Sequence, residues 1–559
     1  MAAFSNSVFK LLLTTLCLIE APLLAASQTA STAPKVHPSG FRIAGTAVSK
    51  TDSHPLSRAR ITVRDAKDVQ KFQSLITSDD GKFEFSGLPA GKFSLQGAKR
   101  GFISASYDQH DQYSTAIVTG AGIDTEALTL KLAPDAVISG KVLDEVGDPV
   151  REATVMLYYV DHSGGADQIH QFRGAQTDDL GEYELTPLIP GTYFLSASAK
   201  PWYAVHPRSD QGGAQAEGIA HSSPVADRSL DVAYPATYYP DVTETESATP
   251  IPVRGGDRLQ VDIHLNPVPA LHLFFRVSED GRNGFNVPQF QQRAFEGSTF
   301  LRPDLTHMVS QGLWEITGIP AGRYDVRLPV AGSTLQMNGI DFTRDGEEVD
   351  TSSAEAPSTI KFSVQIPGES EFPSRLMVGL WAGRGDPIAW HPVSPKGEAE
   401  LEQIPLGRYE VVVQGFPKRY SIARMTAEGA EASGHTLKVA AGSSPSVALT
   451  LVAGSVEVEG VAKRAGKGFA GAMVVLVPKN PEMNRDLFRR DQSDLDGTFV
   501  LHAVVPGPYT LLAIDNGWDL DWSQPGVIAA YLKRGRAIQV GRESGQPVNI
   551  ADSIEVQSK

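Results

Sequence analysis

The chain has one cysteine in 559 residues, Cys17. It lies inside an apolar N-terminal stretch, and Thr14-Thr15-Leu16 before it lack the small residues that precede a lipidated cysteine. The exported chain is therefore expected to carry no thiol, which excludes a disulfide framework, a thiolate nucleophile and a cysteine-ligated metal. Long hydrophobic runs are missing too. After the first residues no segment reaches the ~18 consecutive apolar positions of a membrane-spanning helix. Clustered positive charge is also absent: 50 Lys and Arg stand against 65 Asp and Glu, for a formal net charge of −15, and basic runs do not exceed pairs such as Arg489-Arg490. Neutralising a phosphate backbone needs a clustered basic surface, so nucleic acid is not an expected partner.

Catalytic spacings are lacking as well. None of the 13 histidines begins His-Glu-x-x-His or His-x-x-Glu, and there is no Gly-x-Ser-x-Gly elbow or Gly-Lys-Ser/Thr phosphate loop. No catalytic, cofactor-binding or metal-ligating residue is assigned, and the chain is expected to be non-enzymatic. Asp79-Asp80-Gly81, Asp178-Asp179-Leu180-Gly181 and Asp494-Leu495-Asp496-Gly497 resemble fragments of calcium loops. The Glu due six residues after the glycine is Ala503 in the last copy, and turn chemistry accounts for Asp before Gly.

What is present begins with Lys10, the mostly apolar Leu11 to Leu24 and the small residues of Leu24-Ala25-Ala26-Ser27. This reads as a signal peptide over 1–27, exporting the chain to the periplasm, cell surface or medium with no transmembrane segment after cleavage.

One pattern then recurs five times, with two glycines ten residues apart. It runs from Gly81-Lys82-Phe83-Glu84-Phe85 to Pro89-Ala90-Gly91-Lys92-Phe93, and from Gly181-Glu182-Tyr183-Glu184-Leu185 to Pro190-Gly191-Thr192-Tyr193. The later copies are Gly312-Leu313-Trp314-Glu315-Ile316 to Gly322-Arg323-Tyr324, Gly397-Glu398-Ala399-Glu400-Leu401 to Gly407-Arg408-Tyr409, and Gly497-Thr498-Phe499-Val500-Leu501 to Gly507-Pro508-Tyr509. Alternation of period two on both sides of a turn predicts a β-hairpin with one buried face, and it puts Trp314 in the core. Three copies are preceded by a Gly-x-Val strand and an Ala-x-Val-x-Leu strand, such as Gly140-Lys141-Val142 and Ala153-Thr154-Val155-Met156-Leu157.

Together these elements resemble the carboxypeptidase regulatory-like, or transthyretin (prealbumin)-like, domain, over nearly all of the exported chain. The resemblance implies an all-β tandem array of five antiparallel seven-stranded β-sandwich modules of prealbumin-like or carbohydrate-binding-like fold, in a class that is mostly non-catalytic. The chain departs from relatives that do chemistry. There is no room upstream for a carboxypeptidase zinc site, and the closing Ile554 to Lys559 lacks the Tyr-Arg-Gly-Ser of hydroxyisourate hydrolases. Leu95 to Phe102 lacks the Glu that assists isopeptide formation in adhesin modules.

Pro-rich and small-residue joints place the modules at 35–133, 134–266, 267–355, 356–452 and 453–559, with a Tyr/Pro-rich insertion at 201–252. Joints this short predict a semi-rigid rod. For binding, the aromatics outside the repeat are the lead: Trp202 and Tyr203, Tyr238 and Tyr239, and Trp518-Asp519-Leu520-Asp521-Trp522. Flat rings beside carboxylates suit sugar rings, so extracellular carbohydrate is the expected partner. The same rings would equally cap a sandwich, fill an interdomain joint or pin the insertion down. The alternative function is a structural spacer or protein-interaction scaffold of the cell envelope, with an envelope protein as partner.

Overall fold

The structure, a computed structural model, describes residues 40–559 except 121, 208–226, 277–286, 296, 331–332, 352–355, 368–371, 374, 383–385, 416–419, 454–455, 483 and 542–546. The expected signal peptide, with Cys17, lies outside these residues. Five main hydrophobic cores are drawn from 43–132, 136–265, 271–349, 360–451 and 456–556, with two smaller clusters beside them, one around Met473, Trp522 and Ile528 and one around Tyr158, Tyr238 and Ala294.

The first sandwich shows the plan. One sheet sets Phe41–Ser49 between Lys82–Leu88 and Leu128–Leu132; the other sets Arg60–Asp65 between Phe72–Ile76 and Gly91–Ala98. Burial alternates along Arg60–Asp65, Lys82–Leu88, Gly91–Ala98 and Leu128–Leu132, and Phe83, Phe85, Phe93 and Leu95 meet in one core. Most pairings are antiparallel, but each sandwich has a parallel one in which its opening strand lies beside its closing strand. Examples are Phe41–Ser49 with Leu128–Leu132 and Ser358–Gln365 with Ser446–Ala453.

The repeated motif is not the hairpin expected from its alternation. Lys82–Leu88 pairs with Phe41–Ser49, whereas Gly91–Ala98 pairs with Arg60–Asp65 in the opposite sheet. The same division of partner strands holds in the other four copies, although in the fifth the closing strand Ile554–Ser558 pairs with both Val456–Arg464 and Gly507–Asp515 and joins the two layers. The motif is thus an arch that carries the chain across the core. An arch and a hairpin both show period two with one face inward, so the local pattern does not distinguish them. The first glycine of each copy takes a φ between 69° and 84°, the left-handed region in which a side chain is strained.

An arch leaves carbonyls at its crown without ladder partners, and hydroxyl groups satisfy them. Tyr193, Tyr324, Tyr409 and Tyr509 each donate to the carbonyl four residues back, at 2.7, 2.8, 2.8 and 2.7 Å. The first sandwich has Phe93 at this position, and there the Thr119 hydroxyl donates to the Pro89 carbonyl at 2.7 Å. A second hydroxyl ties the approach to the arch in three sandwiches. Thr77, Thr177 and Ser493 donate to the Leu56, Val150 and Phe469 carbonyls and accept from the Ala59, Ala153 and Ala472 amides.

The third sandwich departs from the alternation. Trp314, expected in the core, is only half-buried, while the adjacent Glu315 is fully enclosed. The glutamates at the equivalent position elsewhere, Glu84, Glu184 and Glu400, face solvent. The expected rod is also corrected, because the fifth sandwich packs back on the first and second through the contacts described next.

Candidate functional site

Trp518 and Trp522 lie where the fifth sandwich meets the first and second. Trp518 sits in a short 3-10 turn, Gly517–Asp519, and the α-helix that follows starts only at Pro525, so no continuous helix aligns the two rings. Trp518 stacks on His110 of the first sandwich, with ring centroids 5.0 Å apart and planes 6° apart, and it also meets Tyr113 at 5.7 Å. Its indole N–H donates to the Gly471 carbonyl. Trp522 is buried, packed on Phe488 and tight against Gly165 of the second sandwich.

Arg490 fills the space between these rings. Its guanidinium lies 4.3 Å from the Trp522 centroid, 5.7 Å from Trp518 and 5.2 Å from Tyr113, and it donates to the Ser163 carbonyl at 2.6 Å. A desolvated guanidinium over aromatic faces is a strong cation–π arrangement. It also reaches Asp111 at 3.3 Å, so one residue touches both partner sandwiches. Around it, Gln492 donates to the Asp108 carbonyl and the Thr115 hydroxyl. Asp494 accepts from the Ala116 amide and the Lys92 ammonium, which makes this Asp-Gly turn a docking element. Burial pushes the Asp494 carboxyl up despite Lys92, and it raises neighbouring Asp491 to about 6.

Between the tryptophans, Asp519 pairs with Lys559, and Asp521 accepts from Gln524 and lies 3.7 Å from His162. His162 itself bonds the Leu520 carbonyl at 3.0 Å. The segment read as a sugar platform therefore forms the joint that was its alternative role.

The insertion splits its aromatics. Tyr238 is buried, one of several rings around Phe295 of the third sandwich, which lies 5.8 Å from Tyr238, 5.0 Å from Tyr158 and 4.9 Å from Phe194. Tyr239 packs on the second core, and its amide donates to the Leu195 carbonyl. These two pin the insertion down. Trp202 differs: it is 87% exposed and stands edge-on to Tyr203. The Tyr203 hydroxyl bonds Glu145, and the other carboxylate oxygen of Glu145 takes the Tyr234 hydroxyl at 3.0 Å.

The insertion also joins the second sandwich to the third. Its strand Val232–Ala233 extends the third sandwich's sheet beside Val268–Arg276, and a row of carboxylates and basic side chains runs along this junction. Lys200 pairs with one oxygen of Asp304; the other oxygen lies 2.9 Å from one ring nitrogen of His206, and the second ring nitrogen of His206 lies 2.7 Å from Asp231. Asp231 then meets His272 at 2.7 Å, His272 meets Glu315 at 2.7 Å, and Glu315 meets His307 at 3.1 Å. A neutral imidazole has one N–H only, so His272, held by carboxylates on both nitrogens, is matched as the imidazolium. The bond to Glu315 raises His272 to about 9, against the opposing effect of burial. None of this row was foreseen from spacing. Its one sequence signal is His272, a polar residue interrupting the apolar Ala270-Leu271 and Leu273-Phe274.

Among the described residues no group of three or more His, Cys, Asp or Glu is arranged to hold a metal, and no helix is long and apolar enough to cross a membrane.

A family model described as SpaA, a prealbumin-like fold domain, matches residues 42–103. No curated protein matches the chain in sequence. Among solved structures, the Bacillus anthracis TIE protein is 10% identical, covering 76% of each chain with a TM-score of 0.17. The minor pilin GBS52 of Streptococcus agalactiae is 12% identical, over 41% of this chain and 97% of its own, with a TM-score of 0.20. The major pilin RrgB of Streptococcus pneumoniae is 10% identical, over 92% and 99%, with a TM-score of 0.17. The family match on the first sandwich, with the strand plan that this chain repeats in its other four, makes it an all-β chain of tandem prealbumin-like sandwiches.

Proposed function

We propose that the chain is a non-catalytic, exported scaffold of the cell envelope that holds its five sandwiches in a fixed arrangement and presents them to envelope proteins. The joint around Arg490 carries this reading. A flexible string of binding modules has no use for buried polar contacts between units far apart in sequence. Ordering such units costs conformational entropy that only a tightly packed joint offsets. The N-terminal signal and the short linkers support the same reading, as does the absence of catalytic sequence motifs.

Polysaccharide binding by Trp518, Asp519, Asp521 and Trp522 finds less support, since Trp522 is buried and Arg490 lies against both rings. A sugar would have to open the joint to stack there.

Cell fractionation with N-terminal sequencing tests export: the chain is expected outside the cytoplasm, beginning near residue 28. Recovery in the cytoplasm with residues 1–27 attached would overturn it. Native purification should then bring down one envelope protein in stoichiometric amount. Retention on a neutral polysaccharide that the Trp518→Ala, Trp522→Ala double variant abolishes would instead favour the binding-module reading.

A further inference from the structure

We infer that the cleft between the second and third sandwiches is a binding site for an acidic saccharide, a uronate-type chain, which would give the scaffold a ligand surface of its own. The cleft has a volume of about 680 Å³, within the range of small-ligand sites. Three cations, Arg151, Lys200 and Arg302, and two carboxylates, Glu152 and Asp304, line it, a cationic excess in a protein whose net charge is −15. Lys200 is paired with Asp304, and Asp304 is further committed to His206. Arg151 and Arg302 form no ion pair among the described residues. Arg302 stands near enough to Lys200 that burial and this neighbouring charge together draw the ammonium below its usual range. A carboxylate placed beside Arg302 would offset that repulsion and gain charge-assisted hydrogen bonds from the arginines.

The remaining lining points to a sugar rather than an acidic peptide. Thr154, Gln176, Gln292 and Thr299 offer hydroxyl and amide groups that both donate and accept, as ring hydroxyls require. Phe300 is 61% exposed on the same cleft. Lys200 and Pro201 lead directly into Trp202, whose indole is the most exposed large apolar side chain among the described residues. Tyr234, also in the lining, shares Glu145 with Tyr203, which stands against Trp202. The exposed ring is therefore braced beside the charged cleft, an arrangement that suits the apolar face of a sugar.

The test is retention of the full chain on immobilised polygalacturonate, alginate and hyaluronate, with dextran as the neutral control and polyglutamate as the acidic peptide. We expect retention on at least one acidic polysaccharide, weakened by salt, and none on dextran. Arg151→Ala with Arg302→Ala, both at exposed positions, should lower affinity by about tenfold or more. Trp202→Ala should lower it several-fold for the saccharide and leave polyglutamate unaffected. Binding to polyglutamate equal to the best saccharide and insensitive to Trp202→Ala would overturn the saccharide assignment. No retention on any of the three acidic polysaccharides, or retention unchanged in the arginine variant, would overturn the site. Neither result bears on the envelope-protein partner, so the scaffold reading stands or falls separately.

Discussion

Lys92 of the first sandwich and Asp494 of the fifth form an ion pair at 2.5 Å across 402 residues of sequence. The aspartate belongs to the turn before the fifth arch, so the element that starts each sandwich's crossing is here also the surface by which one sandwich holds another. Four consequences of this organisation are open to measurement.

The arch places Phe83 inside the first core, where it is 4% exposed. Phe83→Ala should cost ~3 to 5 kcal/mol by denaturant unfolding of the first sandwich. A loss below about 1 kcal/mol would mean that the inward face of the arch is not Phe83 and Phe85.

The hydroxyl at each crown should contribute on the order of 1 kcal/mol. Tyr409→Phe is expected to lose that amount, because the Pro405 carbonyl is left without its donor. In the first sandwich Thr119→Val should cost a similar amount, whereas Phe93→Tyr should bring no gain, since Thr119 already serves Pro89.

Arg490→Ala should release the fifth sandwich from the first and second without unfolding any of them. Truncating a buried cation that bridges both partners is expected to cost about 3 kcal/mol of docking. Hydrogen exchange should rise at Asp108 to Thr115 and at Arg489–Gln492, while the arches keep their protection.

The row through His272 makes the second-to-third junction dependent on pH. His272 titrates at about 9 in the folded chain against about 6.5 for a free imidazole. Its raised value means that folding favours the protonated form. The stabilisation is complete below about 6.5 and lost as pH rises through about 9, on the order of 2 kcal/mol. The thermal stability of the junction should therefore fall between pH 7 and 10 in the native chain, and His272→Gln should remove that dependence.

Much of the fold was legible because it rests on local rules. The ten-residue spacing of glycines reports a left-handed turn and a second strand, and the alternation of Phe83 and Phe85 or Tyr183 and Leu185 reports an inward face. The arch was not legible, since only the partner strand separates it from a hairpin, and partners are set by tertiary packing. The tryptophan pair was visible as a feature but not in its role. Whether Trp518 meets a sugar or His110 depends on where the first sandwich lies relative to the fifth. The row from Lys200 to His307 was invisible for the same reason, being assembled from an insertion, three strands and a loop. Glu315 shows the limit most clearly, because the same position holds exposed glutamates in three other sandwiches.

The docking of the fifth sandwich on the first and second is the central claim, and a spin-label distance tests it most directly. Labels at exposed positions 69 and 533, in a chain with no cysteine beyond Cys17, report the first-to-fifth separation. A single narrow distance that broadens in Arg490→Ala is expected. A broad distribution at the long separations of sandwiches strung in a line, unchanged by Arg490→Ala, would contradict the account.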